Sequence, residues 1–241
     1  MRKTYLVLLF ITSLNLNALE TIHVVVNNAP PYRIIKDDNY SGIYIEIIQE
    51  IAKDLNLQIQ FQEVPFTRAL LMMKTGEADI MLGPNKTLDR EEYIYFIEDY
   101  PLPRENKIFY VSDPQKIIYT YMDLYDKSIE VLRGAVYFDK FDSDSNLTKY
   151  EISDYQQAIL KVKRERSDVV IMPELQGDYL LKELNIKLIK SPFIIEGKDS
   201  FIGISKNISN FNSLKDILIH GLKIAHEKRI DETIIKKYTQ R

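Results

Sequence analysis

The chain has 241 residues, a formal net charge of −3 and no cysteine, which excludes disulfides, thiolate metal sites, cysteine nucleophiles and a lipid-bearing N-terminal cysteine. Its 32 basic and 35 acidic side chains leave no cationic surplus of the kind phosphate backbones select, which argues against a nucleic-acid partner. With 45% hydrophobic and 28% charged residues the composition is globular, and the length suits one large domain or two lobes that each bury a core.

At the N-terminus Arg2 and Lys3 precede an apolar run from Tyr5 to Leu16, and Asn17 and Ala18 follow. A positive start, about a dozen apolar residues and a small residue form the pattern of a cleavable signal peptide, expected over residues 1–18. The run is shorter than a bilayer span of about 20 residues. Leu16, two places before the cut, is untypical there, so cleavage is expected within a few residues of Ala18. No later segment is apolar enough to cross a membrane, and the mature product is expected to be soluble, exported and not lipid-anchored.

Strand and helix patterns then alternate, which points to an α/β architecture with mainly parallel sheets. Thr21–Asn27 is β-branched and predicts a first strand, broken at Asn28-Ala29-Pro30-Pro31-Tyr32 because proline supplies no amide to a ladder. From Gly42 to Leu55, Ile47, Ile48, Ile51, Ala52 and Leu55 recur at helical spacing, so one face is core. Gln58–Val64 predicts a strand, Phe66–Thr75 a helix stopped at Gly76, and Asp79–Leu82 a third strand. Further on come a strand at Ile129–Leu132 ending at Gly134, another at Thr148–Ile152, and a helix at Tyr155–Val162 capped by Asp154. Val169–Met172 predicts a strand, Leu175–Leu184 a helix, Ile186–Ile189 and Phe201–Ser205 strands, and Leu214–Tyr238 one long helical tail.

Several stretches, in this order, resemble the type 3 periplasmic solute-binding proteins of amino-acid uptake systems. They are Ala29–Ile34 (APPYRI), Ser41–Asn56, the helix–GxxD–strand unit Pro65–Gly83, the T-x-x-R segment Thr87–Phe96, the turn Ile129–Val136 and the tail His226–Tyr238. Ile43 and Tyr44 depart from the family's residues at the start of its first helix. The resemblance covers nearly all of the mature chain. It implies two α/β lobes with a ligand cleft between them and two hinge crossings. Lobe 1 would comprise residues 19–110 plus 192–241 and lobe 2 residues 111–191, with crossings near Ile108–Val111 and Ser191–Phe193. Pro101, Pro103 and Pro192 near these points are consistent with stiff connectors, though prolines also punctuate ordinary loops.

Such a cleft has to compensate the charges of a dehydrated amino acid. Burying a carboxylate and an ammonium costs several kcal/mol per charge unless each is paired and hydrogen-bonded. An Arg fork with backbone amides answers the first, and an acidic residue the second. The resemblance gives the carboxylate to Arg90, three residues after Thr87; the alternative is a surface arginine paired with Asp89 or Glu92. Gly83 and Asn85 fall in the preceding loop, where Pro84 removes one backbone donor. Ala135 and Val136, after Gly134, match the lobe 2 turn whose amides meet the carboxylate from the other side.

Glu174 is the candidate for the ammonium, displaced by one position because Pro173 intervenes; the alternative is an ordinary first-turn helix glutamate. Glu46 is a second acid, or a cap of its own helix, and Tyr44 stands where many family members have Asp. Tyr32 and Phe66 match positions that pack around the ligand side chain, yet among 16 Tyr and 10 Phe any single ring is more often core. Arg68 would meet an acidic ligand side chain or stand as a solvated helix charge.

No cofactor or metal is expected. Asp142–Ser153 mimics a calcium loop but has Leu147 where glycine is needed, so a polar turn is the expectation. Lys161, Lys163, Arg164 and Arg166 read as a solvated helix face. The resemblance implies capture of an amino acid or similar small carboxylate by hinge closure, a monomer, and delivery to an inner-membrane ABC permease. Two other readings stay open: an exported enzyme on the same scaffold, resembling cyclohexadienyl dehydratase, and a binding protein that presents its ligand to a separate receptor. No kinase, murein-cleaving or membrane segment follows the tail, so a fused sensor is not expected.

Overall fold

Strand β1 (Thr21–Val26) carries three consecutive valines, all buried, which a strand covered on both faces requires. The computed structural model describes residues 21–103 and 105–239; the expected signal peptide lies outside them. A hairpin that the periodicity did not predict follows, β2 (Ile34–Lys36) and β3 (Asn39–Ser41). It turns through Asp37 and Asp38 at φ 50° and 59°, the conformation a tight hairpin needs and aspartate tolerates. Helix α1 (Ile43–Asp54) buries Ile47, Ile48, Ile51 and Ala52 as their spacing predicts, and packs on the C-terminal helices. Each such isoleucine contributes about 1.5–3 kcal/mol of apolar burial.

Then come β4 (Gln58–Glu63), α2 (Phe66–Thr75), β5 (Ile80–Asn85), the single turn α3 (Leu88–Glu91) and β6 (Ile94–Phe96). Gly76 ends α2 in the left-handed conformation, as expected. The second half of the chain builds β7 (Lys107–Val111), β8 (Ser128–Leu132), α4 (Asp139–Ser143), β9 (Thr148–Ile152) and α5 (Tyr155–Lys163). It continues with β10 (Val169–Pro173), α6 (Glu174–Glu183) and β11 (Ile189–Ile195). The chain then returns through β12 (Ser200–Ser205) to α7 (Phe211–Glu227) and α8 (Ile230–Thr239).

Two five-stranded sheets result, ordered β4-β1-β5-β12-β6 and β11-β7-β10-β8-β9. Each anchors its own apolar core, and together they form a two-lobed α/β fold. The sheets are mixed and not mainly parallel. Neighbours of β1 and of β8 run parallel, whereas β7, β11 and β12, the strands nearest the passages between lobes, pair antiparallel.

Strands β7 and β11 lie whole within the second sheet, so the stretches near Ile108–Val111 and Ser191–Phe193 are strand and not crossing. The chain passes between sheets at 97–106 and 196–199, where Leu102 N donates to Ser200 O at 2.8 Å and Gly197 N to Asn106 Oδ1 at 3.3 Å. The strand expected at Ile186–Ile189 starts only at Ile189. Pro192 is accommodated because β11 is an edge strand whose register shifts between Lys190 and Ile194. The expected single tail helix breaks at Lys228 and Arg229, the latter at φ 54°. Among the described residues no helix is long and apolar enough to cross a membrane.

Candidate functional site

A cavity of about 90 Å³ lies between the two sheets and takes its walls from both, with Phe66, Asn85 and Arg90 on one side and Val136, Tyr155 and Gln176 on the other. Thr87 explains how Arg90 enters it. Its side chain caps α3 by accepting from Arg90 N at 3.3 Å, which fixes the turn on which the arginine stands. The side chain is buried, 4% exposed, and donates from Nη1 to Asn85 O at 2.9 Å and from Nη2 to Gly134 O at 2.8 Å. The second of these bonds crosses from one lobe to the other. The guanidinium lies 5.4 Å from the centre of the Phe66 ring. Burial lowers the pKa of Arg90, and its two hydrogen bonds go to carbonyls, which orient the fork without neutralising it.

Gly83 and Asn85 line the cavity at the end of β5. Gly83 has φ 80°, and a Cβ there would stand 2.5 Å from Tyr44 and 2.6 Å from Arg33 Nη1, so its lack of a side chain admits both groups to the floor. Asn85 contributes its carbonyl to Arg90, while its amide makes only long contacts, 3.4 and 3.5 Å, to Asp199 O and Ser200 Oγ. Ala135 and Val136 also line the cavity, but the Ala135 amide already donates to Leu132 O at 3.0 Å. Among the described residues the Val136 amide makes no hydrogen bond, so the two-amide expectation narrows to one. Helix α4 begins only at Asp139, so this turn is not a helix N-terminus.

Tyr32 and Phe66 line the cavity; Glu174, Arg68 and Glu46 do not. Glu174 turns to the surface and pairs with Lys190 at 2.9 Å, because the residue that ends β10 against the cavity is Pro173 and the glutamate starts the next helix. Arg68 pairs with Glu77 at 2.6 Å on the solvated face of α2. Glu46 binds Lys237 at 2.7 Å and also accepts from the Tyr238 hydroxyl, so it ties α1 to the C-terminal helix. Asp142 and Asp144 accept from Tyr137 N and from the Tyr121 and Tyr125 hydroxyls, a polar turn as expected. Lys161 departs from the solvated face assigned to its cluster and reaches the buried Glu130 at 3.0 Å.

The charged cavity residues that sequence reading missed are Arg33, Glu105, Lys107 and Asp154, the last read only as a helix cap. Arg33 donates to Leu82 O at 2.7 Å and Asn27 O at 3.1 Å, with its guanidinium 5.8 Å from the Tyr44 ring centre. Burial lowers its pKa. Glu105 and Lys107 stand at the end of the first passage and the start of β7, two residues apart on an extended segment, which puts both on one side. Burial raises the pKa of Glu105, opposed by Lys107, by a hydrogen bond to Tyr32 and by one from Gln176 N. Burial lowers that of Lys107, opposed by Glu105.

Four tyrosines, Tyr32, Tyr44, Tyr137 and Tyr155, complete the walls. The Tyr32 and Tyr44 rings sit 4.8 Å apart, and the Tyr137 and Tyr155 hydroxyls share a bond of 3.1 Å. Burial pushes the Tyr137 hydroxyl up to about 12. The arrangement is a ring-lined chamber with fixed cations, suited to holding a small anionic or zwitterionic molecule.

Residues 22–241 match the model of a family described as bacterial extracellular solute-binding proteins, family 3. A probable histidine-binding protein of Campylobacter jejuni is 23% identical over 223 residues, 90% of this chain and 85% of that protein. A solved ancestral arginine-binding protein bound to arginine superposes with a TM-score of 0.78 at 19% identity, covering 91% of this chain and 98% of that one. A histidine kinase sensor domain with similarity to periplasmic binding proteins also gives 0.78, at 16% identity and 91% and 96% coverage. At such identities the solved structures speak to the fold alone.

Proposed function

The chain belongs to the bacterial extracellular solute-binding proteins of family 3, and from that premise we propose that it captures an amino acid or similar small carboxylate in the inter-lobe cavity by hinge closure. Delivery is to an inner-membrane ABC importer, and the place of capture is the periplasm after removal of the signal peptide. The observation that carries the reading is Arg90, a buried cation whose partners are one carbonyl from each lobe. A carboxylate docked on its fork, with the Val136 amide behind it, joins the same two lobes. The ligand's differential affinity for the closed form then shifts the open–closed equilibrium.

A binding role, without catalysis, is what we infer for the acids of the cavity. Asp154 accepts from Gln157 N at 3.0 Å and Gln157 Nε2 at 2.6 Å, and Glu105 accepts from Tyr32 and Gln176. Both are held as structural acceptors. The lobes dock on a partner as a monomeric unit.

The test is calorimetry of the mature protein against amino acids and small carboxylates, repeated on Arg90→Ala. Loss of the fork from a buried pair is expected to cost about 2 kcal/mol or more, roughly 30-fold in affinity, with circular dichroism unchanged. Equal affinity in the variant refutes the assignment.

A further inference from the structure

The charges around the cavity do not balance. Three cations line it, Arg33, Arg90 and Lys107, against two acids, Glu105 and Asp154. Among the described residues both arginines give their hydrogen bonds to carbonyls, Arg33 to Leu82 and Asn27 and Arg90 to Asn85 and Gly134, and a carbonyl leaves the charge in place. Asp154 is committed to the first turn of α5 through Gln157. That leaves Glu105 as the acid shared by Lys107 and Arg33, and the end of β10 puts Pro173, not a second acid, against the cavity. Three cations around one shared acid in a largely buried chamber are costly unless the ligand supplies the missing negative charge.

Resting on the reading of Arg90 as the carboxylate fork, we infer that the solute carries two carboxylates, the first held by Arg90 and the second by Lys107. The class is that of four- and five-carbon acidic amino acids and plain dicarboxylates. Lys107 is the specificity-determining residue, and it stands where the first passage meets the second lobe, so the second carboxylate pulls the hinge segment onto the ligand. A basic amino acid would add a cation to a cavity that already holds an excess of them.

Isothermal titration of the full mature chain with L-glutamate, L-glutamine, L-aspartate, L-asparagine, glutarate, L-arginine and L-histidine tests this, on wild type, Lys107→Met, Lys107→Arg and Arg90→Ala. Each acid is expected to bind roughly 10- to 100-fold tighter than its amide, the span of a charge-assisted bond. In Lys107→Met that ratio falls toward one, and in Lys107→Arg it is retained, which separates lost charge from lost folding. Glutarate binding as tightly as glutamate shows two carboxylates suffice; glutamate alone binding shows two carboxylates with Glu105 taking the ammonium. Either supports the inference. Arginine, histidine or an amide binding best, with that binding lost in Arg90→Ala, overturns the diacid and leaves the capture reading standing. No binding by any of the seven overturns both.

Discussion

Arg90 and Gly134 meet across the cleft, and the glycine is the more sensitive partner. It holds φ 75°, and a Cβ built on it would stand 2.9 Å from Thr67 Cγ2, an atom of the opposite lobe. Gly134→Ala therefore has two costs of different kind. The left-handed backbone strains an alanine by about 1–2 kcal/mol whether the lobes are apart or together. The contact with Thr67 exists only when they are together, and overpacking of that kind costs about 1 kcal/mol or more. Ligand affinity is thus expected to fall at least roughly fivefold, beyond any change in the melting temperature of the ligand-free protein. Adding Thr67→Ser, which deletes the clashing methyl, recovers affinity but not melting temperature. If the double variant binds no better than the single one, the clash argument fails. At this scale the sequence was readable where a local device marks the residue: Thr87 capping the turn announces Arg90. Glu105 and Lys107 carry no such mark, because two charges around an asparagine in a passage look like any loop until the fold sets them against a cavity.

Elements were legible where burial alone sets the pattern, on one face of α1 and on both faces of β10, and illegible where a long-range partner decides. The hairpin of β2 and β3 has too few apolar residues to announce itself, and the break between α7 and α8 falls at an arginine in positive φ that no propensity foretells. Pairing of β8 with β10 is another long-range decision, and it rests partly on Asp168. Asp168 Oδ2 accepts from Ser128 N at 2.8 Å and from its hydroxyl at 2.6 Å, and Oδ1 pairs with Lys116 at 2.7 Å. Burial works to raise this carboxyl, yet Lys116 and Ser128 together bring it down to about 2. A carboxyl whose folded pKa is depressed contributes stability that is present above its unfolded value, near 3.9, and is lost as pH falls through the folded one. Asp168→Asn is therefore expected to be less stable than wild type at pH 7 in urea unfolding, with the gap closing between about pH 4 and pH 2. A gap that stays constant down to pH 2 shows that the carboxyl's charge contributes nothing there.

At the scale of the whole molecule, the order of motifs made the two lobes readable, because each lobe repeats strand, helix and strand with its own apolar set. Where the lobes join was not readable to the residue, since β7 and β11 look alike whether they cross or belong to a sheet. Nor does any local pattern tell that the lobes are drawn together, which the Arg90 to Gly134 bond at 2.8 Å does. That bond is one exposed to competition. When the cleft opens, Arg90 loses Gly134 O and keeps Asn85 O, while water replaces the lost partner, so by itself the bond favours closure by about 0.5–1.5 kcal/mol. On the hinge-closure proposal, a bias this small is one that a ligand contacting both lobes can outweigh by its difference in affinity for the open and closed forms. Small-angle scattering of the mature protein is thus expected to give a larger radius of gyration without ligand than with a saturating one. In Arg90→Ala the ligand-free value rises or stays, and the same ligand concentration fails to lower it. A wild-type radius that is identical with and without a ligand shown by calorimetry to bind contradicts hinge closure, and the cavity is then a site that fills without moving its walls.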